Sequence, residues 1–186
     1  MLVVVATTAA FGLLTQIPGA TNQLRVHELR DSDVKTICDL RTAVFSSHLT
    51  QPYSKIVQGR KWEESMREKT KVLVARASAE LATEMLDKDD FVGFAGDEDE
   101  PIIGTADLQL VPVPWQGGDA LCYVNNVCVD PCARKRGVAR VIMDVVDVLA
   151  ERELGASHLA LHVDADNTPA ISLYERSVAP SSKKCV

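Results

Sequence analysis

The chain contains no C-x-x-C pair. Its five cysteines, Cys38, Cys122, Cys128, Cys132 and Cys185, are odd in number and spaced to frame neither a zinc site nor a disulfide scaffold, which leaves free thiols in a reducing compartment. No lysine or arginine occurs between Met1 and Ala20, so this apolar start lacks the charged n-region of a secretory signal. It is also short for a spanning helix and is interrupted by Gly12 and Pro18, so no stable membrane span is expected. Residues 1–22 read either as a targeting remnant or as an unstructured leader, set outside the fold. Positive charge is not in excess: a net charge of −6 and a pI near 5.2 argue against a general nucleic-acid binder. Neither Lys-Ser nor Lys-Thr follows Gly137, which argues against a P-loop nucleotide hydrolase.

What is present fits one globular domain: 186 residues, 46% hydrophobic and 25% charged, suffice for a substantial core. Leu24 to Leu29 reads as a first strand, and Asp31 or Ser32 can cap a helix whose apolar positions Val34, Ile37, Leu40, Val44 and Phe45 recur at helical spacing. Lys61 to Lys71 reads as a half-buried helix anchored by Trp62 and Met66. Val72 to Arg76 reads as a short strand, and Ser78 to Leu86 as helix within an insertion. Phe91 to Ala95 can extend the sheet. Asp97 to Pro101 reads as a turn before a strand from Ile102 to Val111, its acidic run being either a solvated turn or an attractor for cations.

Leu121 to Val129 reads as a strand that Asp130-Pro131 breaks, and a helix begins near Gly137 with Val138, Ile142, Val145 and Leu149 on one face. Gly155 is a natural stop, and His158 to Val163 alternates as a half-buried strand. Thr168-Pro169 then supplies a cap and a first-turn proline for a last helix through Leu173 and Tyr174. Strands with helices between them give an α/β, or mixed α+β, fold class.

The stretch Val127 to Ala139 carries the clearest chemistry. Arg134, Lys135, Arg136 and Arg140 put four positive charges at the entrance of a helix, where the macrodipole already favours an anion. Backbone N–H groups there, with Gly137 and Ala139 leaving room for close approach, suit a pyrophosphate, whereas the plainer reading of Arg134 and Arg136 is a solvated basic loop.

Three motifs in order, Val127-Cys-Val-Asp-Pro, Arg134-x-x-Gly137-x-Ala139 and Asn167-x-x-Ala170-x-x-Leu173-Tyr174, resemble the GNAT superfamily of acetyl-CoA-dependent N-acetyltransferases. Tyr123-Val-Asn-Asn-Val-Cys-Val is similar, more locally, to plastid-type plant and algal members, which points to plastid or cytoplasm rather than secretion. The resemblance implies an acyl-CoA N-acyltransferase fold, a central twisted mixed sheet flanked by helices and split where the fourth and fifth strands diverge. A bulge would suit the region around Asn126. The domain then spans 23–177, with 178–186 a short polar tail.

The same resemblance implies the site. Backbone groups at Val127, Cys128 and Val129 would hold the pantetheine arm, with Arg134, Lys135, Arg136, Gly137, Val138 and Ala139 at the pyrophosphate. Val129 N–H would polarise the thioester carbonyl, and Tyr174 would protonate the departing CoA sulfur, where the plainer reading packs it on its helix. Asn167 would lie near the cofactor arm, or serve as an ordinary turn residue. Acetyl-CoA is the implied cosubstrate, with no metal. The implied acceptor is a primary amine: a lysine side chain, a protein N-terminus or a small amine.

Two departures limit the resemblance. Asn125 stands where many members carry a glutamate, so Asp107 and His162 become the candidate bases. After Ser177 the family's closing C-terminal hairpin is expected to be missing, which predicts an uncovered sheet edge. The alternative reading is a non-catalytic CoA-binding or interaction domain.

Overall fold

The computed structural model of the chain describes residues 2–7, 24–45, 52–67, 71–86, 100–112, 120–177 and 184–185. Its strands are β1 (Leu2–Thr7), β2 (Leu24–Glu28), β3 (Lys71–Ala77), β4 (Ile102–Pro112), β5 (Ala120–Val129), β6 (His158–Val163) and β7 (Lys184–Cys185). Its helices are α1 (Val34–Phe45), α2 (Pro52–Arg67), α3 (Ala79–Leu86), α4 (Val138–Arg152) and α5 (Thr168–Ser177). The chain divides into two compact units, and β4, β5 and α4 each contribute to both.

The first unit comprises Gly19–Asp107 and Asn126–Ile142. Its strand order is β2-β3-β4-β5, with β2 and β3 antiparallel from Leu24↔Ala77 to Glu28↔Leu73. From Val72 to Ala77 every residue of β3 is buried, as expected of a strand covered on both faces. Ile37, Leu40, Met66, Val74, Ile102 and Cys128 form the core on which α1 and α2 rest. The start of α1 differs from expectation. Neither Asp31 nor Ser32 caps it; the Asp33 carboxylate accepts from Arg30 N at 3.2 Å and also pairs, buried, with Arg76. Helix α2 begins at Pro52, well ahead of Lys61, and a proline in the first turn leaves no helical donor unmet.

The second unit comprises Met1–Pro18, Leu108–Asn125 and Met143–Val186. Its order is β4-β5-β6-β1-β7, with β5 and β6 parallel from Leu121↔His158 to Val124↔Leu161. That ladder ends at Val124, although β5 continues to Val129, so the fourth and fifth strands of the sequence reading do part company here.

The N-terminus brings a correction. Residues 1–22 are expected outside the fold and the edge of β6 uncovered, yet Leu2–Thr7 pairs antiparallel along all of β6, from Leu2↔Val163 to Thr7↔His158. Its Leu-Val-Val-Val-Ala-Thr run carries no charge and three consecutive β-branched residues, the composition of a strand. Strand β7 then pairs with β1 through Val4↔Cys185 and Val5↔Lys184.

Helix α4 buries Val138, Ile142, Val146 and Ala150, whereas Val145 and Leu149 of the expected face are only half-buried. It closes at Gly155, whose φ of +60° allows Ala156 N to reach Ala150 O at 2.8 Å. Phe91–Ala95, the acidic residues 97–99 and most of the tail 178–186 lie outside the described residues. Among the described residues no helix is long and apolar enough to cross a membrane.

Candidate functional site

The first unit contains the strand, turn and helix entrance on which the sequence reading centres. Asp130, fully buried at the end of β5, donates its N–H to Ile103 O at 2.9 Å and accepts from Cys132 N at 2.9 Å. These bonds stop the strand and start the short 3-10 turn Pro131–Ala133. Arg134 to Gly137 then form a turn in which Lys135 (φ +61°) and Gly137 (φ +85°) both take the left-handed region. A Cβ at Gly137 would meet nothing within 4 Å, so glycine is required there by backbone conformation rather than by crowding within the chain.

The first helical bond of α4 runs from Val141 N to Gly137 O at 3.0 Å. The N–H groups of Val138, Ala139 and Arg140 precede it and have no intrahelical acceptor. The first turn of α4 contains no acidic side chain, and Arg134, Lys135, Arg136 and Arg140 are all exposed. Arg136 donates to Glu84 Oε2 of α3 at 2.9 Å, and Arg134 Nε donates to Val129 O at 3.3 Å. The arrangement concentrates first-turn amides and cations where the helix dipole favours negative charge.

Behind this entrance, the described residues hold a network that the sequence did not announce. Arg41, fully buried on α1, donates through Nη1 and Nη2 to both oxygens of Asp107, and through Nη2 to Thr105 Oγ1 at 3.0 Å. Asn126 Nδ2 donates to Asp107 Oδ2 at 2.7 Å, and Asn126 itself has φ +52°, a left-handed residue inside β5. This left-handed residue falls where a bulge is expected. Arg41 also lies 5.9 Å from the Trp62 ring centroid, and both Arg41 Nε and Trp62 Nε1 are buried without a hydrogen-bond partner. One sequence signal for Arg41 existed: it falls between Leu40 and Val44 on the apolar face of α1, where an unpaired cation would be untenable. Buried Cys128 has its thiol pushed up to about 12, by burial first and with the Arg41 charge opposing.

Asp107 thus accepts three hydrogen bonds, at 0% exposure, from Arg41 and Asn126. Both carboxylate oxygens of Asp107 are thus occupied by donors within the fold.

The second unit holds the other candidates. Tyr174 on α5 is buried, and burial raises its hydroxyl above the ordinary value of 10. Asn167 acts as the N-cap of α5: its Oδ1 accepts from Ala170 N at 3.3 Å, displacing Thr168 from the role expected of it. His162, exposed on β6, hydrogen-bonds through Nδ1 to the hydroxyl of Tyr123 on β5, and their ring centroids are 5.4 Å apart. Asn125 has a buried Oδ1 with no partner. Among the described residues no cluster of three or more His, Cys, Asp or Glu could hold a metal ion.

A mycothiol acetyltransferase of Clavibacter sepedonicus is 43% identical over 75 residues, covering 39% of this chain but only 24% of the relative's length. The crystal structure of a possible acetyltransferase from Clostridium difficile 630 aligns over 83% of this chain and 88% of that one, at 13% identity and a TM-score of 0.59. AAC(6')-Iy, solved in complex with the bisubstrate analog CoA-S-monomethyl-acetylneamine, aligns over 83% of this chain and 88% of its own, at 15% identity and a TM-score of 0.54. The sequence model of the acetyltransferase (GNAT) family matches residues 56–178, more than half of the chain, and the protein belongs to that family.

Proposed function

We propose that the protein is an N-acetyltransferase that moves an acetyl group from acetyl-CoA to a primary amine by direct attack. The observation that carries the reading is the entrance of α4: left-handed residues at Lys135 and Gly137, first-turn amides without intrahelical acceptors, and no acidic side chain in that turn. A pyrophosphate needs such a site. The CoA-based bisubstrate analog held by AAC(6')-Iy supports CoA as the carrier.

In this reading the backbone of Val127 to Val129 receives the pantetheine arm, and Val129 N–H faces the thioester carbonyl. The amine lone pair attacks the carbonyl carbon, negative charge gathers on the oxygen, and the C–S bond breaks as the oxygen re-forms its double bond. Tyr174 gives its proton to the leaving sulfur, for which its burial-raised pKa suits it by keeping the phenol protonated at neutral pH. Of the two candidate bases, His162 is taken as the one that receives the amine's proton, because its side chain is exposed while both oxygens of Asp107 are bonded within the fold. Asn167 serves the site by fixing the start of the helix that carries Tyr174. The catalytic domain is taken as 23–177, completed at the edge of β6 by β1.

The test is release of free CoA thiol from acetyl-CoA across a panel of small amines, lysine peptides and protein N-termini. Turnover with at least one amine supports the reading. Binding of acetyl-CoA without turnover anywhere in the panel selects the alternative, a non-catalytic CoA-binding domain, which the unpartnered Asn125 at the glutamate position favours.

A further inference from the structure

Asn126 adopts φ +52° inside a β-strand, a conformation that few side chains tolerate and that turns the residues after it. Asparagine tolerates it, but tolerance does not explain the bond that its amide makes. Asn126 Nδ2 lies 2.7 Å from Asp107 Oδ2, a charge-assisted contact, and the carboxylate is itself gripped by both terminal nitrogens of Arg41. Arg41 is anchored further by Thr105 Oγ1 at 3.0 Å; Thr105 and Asp107, two apart on β4, present their side chains on the same face of the strand. All four side chains belong to the first unit, and Arg41, Thr105 and Asp107 have no exposed surface.

We propose that Arg41, Asp107 and Asn126 form a clamp from α1 through β4 to β5 that fixes the left-handed kink at Asn126 and so sets the direction in which the backbone of Val127 to Val129 meets the pantetheine arm of acetyl-CoA. The proposal rests on the acetyl-CoA reading above. Asp107 becomes a positioning residue, and its carboxylate has no proton-transfer role. The clamp governs the strand and not the phosphate end, because Lys135, Gly137 and the first turn of α4 owe their conformation to their own backbone.

Asn126→Gly separates these roles. Glycine takes a φ of +52° without penalty, so the variant keeps the kink accessible and removes only its tether to Asp107. Binding of acetyl-CoA and of ADP, which has the pyrophosphate but no pantetheine, is measured by calorimetry on wild type and variant, alongside the melting temperature. The clamp predicts an acetyl-CoA Kd about ten-fold weaker, as for one lost charge-assisted hydrogen bond, an ADP affinity within two-fold, and a melting temperature within about 5 °C. An acetyl-CoA Kd within two-fold of wild type overturns the proposal. Equal weakening of both ligands, or an unfolded variant, also overturns it, since the network would then serve the fold and not the aim of the strand. Wild type that binds no acetyl-CoA removes the acetyl-CoA reading itself, a result distinct from any outcome in the variant.

Discussion

Gly104 on β4 lies directly against Ile142 on α4. A Cβ built at Gly104 would fall 2.9 Å from Ile142 Cδ1, and 3.2 Å from both Val138 Cγ1 and the backbone oxygen of Cys128. The Ile142 methyl can swing aside, but the Cys128 carbonyl and the branched Val138 side chain have little freedom, so β4 must shift against both β5 and the first turn of α4. Gly104→Ala is expected to lower stability by about 1–3 kcal/mol, read from urea unfolding, and to weaken acetyl-CoA binding by tilting the first turn of α4. Wild-type stability and affinity in this variant would show that the close packing is dispensable.

Gly137 separates conformation from crowding. Its φ of +85° is unfavourable for any other residue, while the space around its Cβ position is open. Gly137→Ala should therefore cost only about 1–2 kcal/mol of backbone strain and leave some affinity for acetyl-CoA. Gly137→Glu adds negative charge where the pyrophosphate is placed and should abolish binding. Titration of both variants checks this ordering, and unchanged affinity in Gly137→Glu would remove the pyrophosphate assignment.

The thiols carry a pH prediction. Burial pushes Cys38 and Cys122 up to about 11 and Cys128 up to about 12, each from an ordinary value of 9.0. The folded protein therefore holds these protons more tightly than the unfolded chain. Its stability should be unaffected below pH 9 and fall as pH rises from there towards 11 to 12, where the native thiols also ionise. At pH 8, iodoacetamide followed by peptide mass analysis should label Cys132, the partly exposed thiol, ahead of those three. Rapid native-state labelling of Cys128 would contradict its placement.

Tyr174→Phe removes one oxygen from a buried side chain on α5. If Tyr174 protonates the leaving sulfur, kcat should fall by about 10²–10³ with KM for acetyl-CoA nearly unchanged. Because burial raises this hydroxyl above 10, the wild-type kcat should show no alkaline decline attributable to Tyr174 below that pH. A variant with wild-type kcat would reduce Tyr174 to packing.

Much of this site is legible in the sequence because local chemistry specifies it. The strand, Asp130-Pro131, the basic run and Gly137 are contiguous, and each dictates its own backbone. Periodicity likewise places β4 to β6 and α4 within a residue or two. The Arg41–Asp107–Asn126 network is not legible in this way, since its members are 66 and 19 residues apart and only the folded sheet brings them together. Asp107 reads either as a candidate base or as a hydrogen-bonded structural residue until Arg41 is seen against it. Asn167 displaces Thr168 as the cap of α5 because neighbouring cap-competent residues compete, and side-chain geometry decides among them. Leu2–Thr7 reads as a leader because its partner, β6, lies more than 150 residues away.

The central claim is that the strand Val127 to Val129 and the entrance of α4 bind acetyl-CoA. Calorimetric titration of the full chain with acetyl-CoA tests it most directly. The account predicts saturable binding of one acetyl-CoA per chain, competed by CoA and weakened by rising salt as the basic turn is screened. Absence of saturable binding at millimolar acetyl-CoA and low salt would contradict it.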